Sequence, residues 1–363
     1  MKNNDNNQLT AIDLFCGCGG LSYGFVSAGY KVLLGVDNDE AALNTFEKSH
    51  PDSKILKGDL SKKETIQKMK EITNVSTVDL IIGGPPCQGF SLTGNRMIDD
   101  ERNKLYLGML EAVKEFEPNA FVLENVVGLV GLFKGKVKDQ IIADFTEVGY
   151  NVQWKILNAA DYGVPQVRKR VFFIGIKEGL GEFEFPESIK NEGNYVTCGE
   201  AIGDLPSLEH VFGEEVSTYP IPPQNEYQSF MRERAEKLYN HVATNHTEQV
   251  KHVISLVPEG GNHKDLPPGV GEHRKFNEAW TRYHSQKPSR TIDTGHRNHF
   301  HYKYNRVPTV RENARLQSFP DDFVFYGTRT QQNRQVGNAV PPLLGYHLGM
   351  KLFKYIGGKY VKV

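Results

Sequence analysis

The chain has 363 residues, with 43 Lys and Arg against 44 Asp and Glu and a formal net charge of −1, so it is long enough for roughly two domains, and its global charge argues neither for nor against a nucleic-acid partner. Its 39% hydrophobic and 24% charged content is ordinary for a soluble globular protein, and no apolar run approaches membrane-spanning length. The polar stretch 1–8 has no signal-peptide core, and Cys16, Cys18, Cys87 and Cys198 give neither a disulfide framework nor a zinc spacing, so the expectation is a cytoplasmic monomer with no membrane association and no metal.

Apolar strand-like runs alternate with amphipathic stretches as far as about Lys177. Strands are expected at 9–15, 31–36, 53–57, 78–82, 120–123, 152–157 and 171–176, and helices at 40–48, 63–72, 104–116 and 137–148. That alternation predicts an α/β fold, a doubly wound, mostly parallel sheet with helices on both faces. The pattern fails after Gly179. From there to about Lys287 the sequence is acidic, rich in Pro and Gly and weakly periodic, as in a smaller, irregular second domain. Order returns near Thr309 and ends in an apolar helix at 343–353. The expected organisation is a first domain over 1–178, a second over 179–329, and a segment 330–363 returning to the first.

Ile12 to Leu21 reads as a strand, a Gly-rich turn and the opening of a helix. Glycines there permit positive φ and close approach of a ligand, and a helix N-terminus favours negative charge. One strand-helix-strand unit later, Asp37 and Asn38 end the second strand, where an acid can accept ribose hydroxyls. Asp59 and Leu60 close the third, where a carboxylate can hold an adenine amino group. The glycine spacing is not the dinucleotide fingerprint, and no Walker-type lysine follows. Turn, ribose acid and adenine acid together suit an adenosyl cofactor.

The strand at 78–82 runs into Gly83-Gly84-Pro85-Pro86-Cys87. Two glycines and two prolines end it and hold an extended turn. A thiol is the first side chain after that turn, at the strand end where open α/β sheets place their chemistry. A buried cysteine in an ordinary turn is the competing reading.

These blocks, together with Glu124-Asn125-Val126, Gln166-Val167-Arg168-Lys169-Arg170, Pro288 to Ile292 with Arg311 to Phe323, and Gly337-Asn338-Ala339-Val340-Pro341-Pro342, resemble the DNA (cytosine-5) methyltransferase family in its usual order. Cys16 and Asp37 stand where some relatives carry Ala and Glu. The resemblance implies a Rossmann-like methyltransferase domain that uses S-adenosylmethionine and releases S-adenosylhomocysteine, with the irregular domain for target recognition. It makes Asp13, Phe15, Gly17, Gly19, Gly20, Leu21, Asp37, Asn38, Asp59, Leu60, Pro85, Asn338 and Val340 the cofactor site.

Carbon 5 of cytosine is a poor nucleophile until a thiolate adds at carbon 6. The resemblance gives Cys87 that role and Glu124 the protonation of ring nitrogen 3. A helix N-terminal acid is the plainer reading of Glu124. Arg170, with Arg168 near it, would face the base carbonyl oxygen and the backbone phosphate. A pair of surface arginines at a strand edge is the competing reading, above all for Arg168. The substrate would be double-stranded DNA whose target base is flipped out of the stack, with Gln88 and Ser91 touching the minor groove.

Cations gather late in the chain: Arg274, Lys275, Arg282, Lys287, Arg290, Arg297, Lys303, Arg306, Arg311 and Arg315 stand against Glu278, Asp293 and Glu312. Arg297, Asn298, His299, His301, Lys303 and Arg306 are the expected DNA contacts. A solvated charged face is the alternative. The same motifs fit a tRNA cytosine-5 methyltransferase, but the long segment after Gly179 and the late cations favour DNA. A non-catalytic DNA-binding relative would have lost the cysteine or the turn. A cognate restriction endonuclease acting on the same site without direct contact completes the expected setting.

Overall fold

The computed structural model describes residues 8–86, 105–270, 279–295 and 298–357. The chain divides into two units: Met1–Asn158, Lys169–Glu187 and Leu344–Val363 form one, and Ala159–Arg168 with Ser188–Leu343 form the other.

In the first unit the apolar runs pair as strands, and the amphipathic stretches between them become helices. The order is β1 (Thr10–Leu14), α1 (Gly20–Ser27), β2 (Lys31–Asp37), α2 (Glu40–Ser49), β3 (Lys54–Lys57), α3 (Lys63–Thr73), β4 (Leu80–Gly83), α4 (Leu105–Phe116), β5 (Ala120–Val126), α5 (Gly128–Gly131), α6 (Lys136–Glu147), β6 (Tyr150–Asn158) and β7 (Lys169–Lys177). They build a seven-stranded sheet in the order β3-β2-β1-β4-β5-β7-β6. The pairs from β3 to β5 are parallel, and β7 runs antiparallel to both β5 and β6. Strand order reverses direction between β1 and β4. Because parallel crossovers are right-handed, that reversal sends the connecting helices to opposite faces. It also opens a crevice at the strands' carboxyl ends. Leu14 pairs with Gly83 and Gly83 with Leu123, so β1, β4 and β5 end at one edge.

Ile12, Leu34, Ile81, Phe121, Leu123 and Phe173 are buried in one core with Met69, Met109, Phe116 and Phe145 from the helices. Strand β5 extends three residues beyond the expected 123, because β7 supplies ladder partners as far as Val126 opposite Arg170. That extension puts Glu124 inside a strand rather than at a helix start.

The second unit contains α7 (Cys198–Ile202), β8 (Val216–Ser217), α8 (Glu226–Arg232), β9 (Leu238–Tyr239), α9 (Glu248–Leu256), β10 (Thr281–Arg282), β11 (His299–Phe300), α10 (Val310–Leu316) and α11 (Arg329–Asn338). Its strands are two residues long, so little of its backbone is satisfied by a sheet. Its core gathers Cys198, Ile202, Leu205, Leu238, Tyr283, Ile292 and Leu316. Residues 159–168 join this unit through Val167, whose N–H donates to Ser289 O at 2.8 Å, and through Ser289, which donates to Pro165 O at 2.9 Å. Residues 330–343 also belong here, and the return to the first unit begins at Leu344 within α12 (Pro342–Ile356).

Candidate active site

The turn after β1 is built by backbone geometry. Phe15 and Gly17 have φ of 57° and 54°, and Gly19 has φ of 90° as the N-cap of α1. A side chain at Gly17 would meet nothing within 4 Å, so the backbone there faces open space. Gly20 and Leu21 are buried as α1 begins. Asp13 is also buried and accepts a hydrogen bond from Ser22 Oγ at 2.6 Å. Burial pushes its carboxyl up to about 8, against the lowering effect of Ser22 and with a further rise from nearby Asp37.

Asp37 ends β2 as expected, and both its oxygens already serve the protein. Gly17 N–H donates to Oδ2 and Asp39 N–H to Oδ1, each at 2.8 Å. A carboxylate has about four lone-pair sites, so these bonds leave room for a ribose hydroxyl. Burial raises the Asp37 carboxyl, countered by the backbone donors of Asp39, Gly17 and Asn38. Asn38 is exposed beside it. Asp59 is exposed, and its Oδ1 takes both the N–H and the hydroxyl of Ser61, which hold its carboxyl below the ordinary range. Leu60 is buried under α4: a side chain at Gly108 would lie 2.2 Å from Leu60 O.

At the neighbouring strand ends, Glu124 Oε1 lies 3.0 Å from Arg170 Nε, and both side chains are largely buried. A side chain at Gly84 would come within 3.0 Å of Glu124 Oε2, so the glycine leaves the carboxylate room over the end of β4. Asn125 donates through Nδ2 to Pro85 O at 2.9 Å and accepts Val126 N–H through Oδ1. This ties the Pro-Pro turn to β5. The arrangement sets an acid and a guanidinium beside the turn that leads to residue 87. Cys87, Gln88 and Ser91 lie outside the described residues.

The second unit holds the remaining expected residues. Arg168 is wholly buried and donates to Gly337 O at 2.9 Å, so the surface reading of Arg168 does not fit. Asn338 ends α11 exposed, and Val340 is buried.

Several of the late cations point inward, which corrects their reading as a DNA footprint. Arg306 forms a two-pronged pair with Glu312, both bonds at 2.7 Å, and donates to Ser207 O. Arg311 and Arg315 are fully buried, and Arg315 joins Asp204 at 2.5 Å to Asp321 at 2.7 Å. Arg282 is spent on the carbonyls of Val257, Ile254 and His301. His301 is buried, and its Nδ1 accepts the N–H groups of Lys303 and Tyr304. Base contact through His301 or Arg306 does not fit this placement, because their hydrogen-bonding groups are committed to the interior. His299 is buried and stacks on Tyr283. Asn298 is half-buried and donates to Asp293, and Lys303 is exposed. Arg297 lies outside the described residues. Among the described residues no group of three His, Cys, Asp or Glu side chains is set to hold a metal, and no helix is long and apolar enough to cross a membrane.

Sequence reasoning missed Ser22, Asn125 and the inward arginines. One signal for the last was legible: Thr309-Val310-Arg311-Glu312 has the spacing of a capping box. Thr309 and Glu312 do cap α10 reciprocally, which makes Arg311 and Arg315 successive turns of one helix face.

Residues 9–354 match the family model of C-5 cytosine-specific DNA methylases. The type II methyltransferase M.DdeI of Desulfomicrobium norvegicum is 40% identical over 372 residues, spanning 96% of this chain and 89% of its own. The type II methyltransferase M1.HphI of Haemophilus parahaemolyticus is 42% identical over 354 residues, spanning 96% and 87%. Among solved structures, a candidate DNA modification methyltransferase encoded within an E. coli prophage is 28% identical, with a TM-score of 0.77 over 96% of this chain and 99% of that one.

Proposed function

Because the chain belongs to the C-5 cytosine-specific DNA methylase family and is a DNA (cytosine-5-)-methyltransferase, we propose that its reaction runs at the edge where β1, β4 and β5 end. The observation that carries this is the Glu124–Arg170 pair beside the turn that leads to Cys87.

S-adenosylmethionine, the family's methyl donor, supplies an electrophilic methyl group on a sulfonium. Open space at Gly17 and the free lone pairs of Asp37 support binding of its adenosyl part by Asp13, Phe15, Gly17, Gly19, Gly20, Leu21, Asp37, Asn38, Asp59, Leu60 and Pro85. Asn338 and Val340 join the site on the strength of the family motif alone.

Cys87 adds as a thiolate to carbon 6 of the flipped cytosine, forming an S–C6 bond while nitrogen 3 takes a proton from Glu124. That addition makes carbon 5 an enamine carbon, nucleophilic toward the methyl group that a bound donor would supply. Loss of the carbon-5 proton to solvent and cleavage of the S–C6 bond, with the nitrogen-3 proton returned to Glu124, free Cys87 and the product. Arg170 holds Glu124 in register and offers its guanidinium to the base carbonyl oxygen, where charge develops. Arg168 acts from the interior as a support for Gly337. The tRNA reading is not favoured, since the curated relatives are type II methyltransferases. We assign the chain to a restriction–modification setting, as a cytoplasmic monomer that shares a DNA site with an endonuclease without touching it.

A duplex bearing 5-fluorocytosine tests the covalent step, because fluorine cannot leave as a proton. The wild type is expected to be trapped as an adduct and Cys87→Ser to escape. Equal trapping of both would remove Cys87 from the mechanism. Bisulfite sequencing of plasmid from expressing cells gives the modified cytosine directly, and unmodified plasmid would refute the activity.

A further inference from the structure

The turn after β1 is braced at Gly17 and Gly19 by the two ends of one segment, Asp37 to His50, that carries α2. At one end, Asp37 takes the Gly17 N–H and the Asp39 N–H on separate oxygens. Asp39 in turn caps α2, accepting Ala41 N–H at 3.0 Å and Ala42 N–H at 3.3 Å. At the other end, His50 stands as the C-cap of α2 and lies against Gly19. A side chain on Gly19 would sit 2.3 Å from His50 Cε1, 2.8 Å from Phe46 Cδ2 and 3.0 Å from His50 Nδ1. The imidazole therefore presents its surface to the bare Cα.

The ring is itself fixed. It stacks on Phe46 at 4.3 Å with 17° between planes, meets Tyr23 edge-on, and places Nδ1 3.1 Å from Phe46 O. Phe46 is wedged from behind by Gly35 of β2, where a side chain would lie 2.5 Å from its ring. Burial pushes the His50 imidazole down to about 4, so it is neutral at physiological pH, with Nδ1 free to donate to the Phe46 carbonyl.

We propose that His50 is a positioning residue for the cofactor turn, its imidazole serving as the fixed surface against which Gly19, and through it the start of α1, is set. It has no place in the bond-making steps and lies outside the family blocks quoted above. The inference rests on the reading of this turn as the S-adenosylmethionine site. Its consequence is specific to binding: the ring and the glycine are two halves of one contact, so changes to them must be non-additive.

The test is a double-mutant cycle on the full chain, read as the Kd for S-adenosylhomocysteine by calorimetry and as KM for the methyl donor, KM for DNA and kcat. Gly19→Ala drives a methyl into the ring and is expected to weaken S-adenosylhomocysteine binding by about 100-fold. His50→Ala loosens the turn and is expected to cost about tenfold, the scale on which displaced supporting residues act. The double variant is expected to recover part of the Gly19→Ala loss, because the vacated ring volume relieves the closest contact while Phe46 Cδ2 at 2.8 Å and the positive φ of Gly19 remain. His50→Phe, which keeps a flat ring, is expected to recover most of the His50→Ala loss. KM for DNA should not move in His50→Ala or His50→Phe. Strictly additive losses, or a His50→Ala protein that binds as tightly as wild type, would overturn the proposal. An equal rise in both KM values would also overturn it, since that marks general destabilisation. A wild-type chain that binds no S-adenosylhomocysteine would instead sink the cofactor reading itself.

Discussion

The Glu124 carboxylate is shaped by three neighbours that do different things. Arg170 holds one oxygen, Gly84 leaves space for the other, and Asn125 fixes the turn next to it. Glu124→Gln keeps the shape and a hydrogen-bonding edge but has no proton to give. Methylation is expected to slow by about 10²–10⁴, the usual worth of general-acid assistance. A single-turnover rate within a few-fold of wild type would exclude that role. Gly84→Ala tests the space: its methyl meets Glu124 Oε2 at 3.0 Å, so kcat should fall while S-adenosylhomocysteine affinity holds. The position of Glu124 beside the turn from β4 was legible through the resemblance of Pro-Pro-Cys and Glu-Asn-Val to the family blocks. The Glu124–Arg170 pairing was not, since it depends on β7 returning antiparallel beside β5, which no local pattern encodes.

Helix α10 shows how an element can be charged and interior at once. Glu312 is held well below the carboxylate range despite burial, chiefly by Arg306 and then His301. His301 is pushed down to about 3 by burial, which outweighs the pull of Glu312 because Arg306 already occupies that carboxylate. His241 is lowered for the same reason, its Nε2 against Pro206 O and its Nδ1 against Thr309 Oγ1. The unfolded histidines take up protons first as pH falls below 6.5, so their contribution is full above that value and is lost as pH falls, for His301 toward about 3. Glu312 adds a loss in the same direction below its ordinary 4.5. Asp13 works in the opposite sense: its unfolded carboxyl ionises above 3.8 and its folded one only near 8, so its contribution falls as pH rises between them. His301→Gln is therefore expected to flatten the acid side of the stability profile between pH 6.5 and 4.5, measured by urea denaturation across pH. A profile that keeps the wild-type acid slope would show that His301 is not its source. Arg315→Ala leaves Asp204 and Asp321 buried without it and should cost about 3–5 kcal/mol of stability. A loss below 1 kcal/mol, the range of exposed pairs, would mean that the cluster is not a structural anchor. The late cations looked like a DNA face because composition counts charges without saying which way they point. Burial of Arg306, Arg311 and Arg315 depends on acids brought from Asp204, Glu312 and Asp321.

At the scale of the whole molecule, the regular half was readable and the irregular half was not. Alternating apolar and amphipathic stretches announce a parallel sheet wherever they occur, and the strands fall where the runs predict. The second unit has two-residue strands and helices set by individual caps and ion pairs, so it leaves no period to detect. We expect specificity to reside in that unit. Lys303→Ala should weaken methylation of every sequence alike and flatten the salt dependence, as loss of a phosphate contact does. Asn298→Ala should relax one position of the site, by roughly 1–3 kcal/mol. Methylation of a randomised duplex library distinguishes the two. If Asn298→Ala keeps the wild-type preference, base reading belongs between Tyr195 and Val270.

The route of the chain carries a consequence for how the enzyme is made. Helix α12 seats on α1 with backbone-close contacts: a side chain at Gly345 would lie 3.0 Å from Leu21 O and one at Gly349 would lie 2.8 Å from Ala28 Cβ. Tyr30 donates its hydroxyl to Gly349 O at 3.2 Å and meets the Phe353 ring edge-on. These residues leave the ribosome only after all of the second unit has been synthesised. A nascent chain therefore carries an α1 without its α12 partner, beside the glycine turn after β1, throughout that interval. DNA methylation then begins with the arrival of α12 rather than with the first folded strand. A stop codon placed just before Leu344 should leave cells with a nearly full-length product and an unmethylated chromosome.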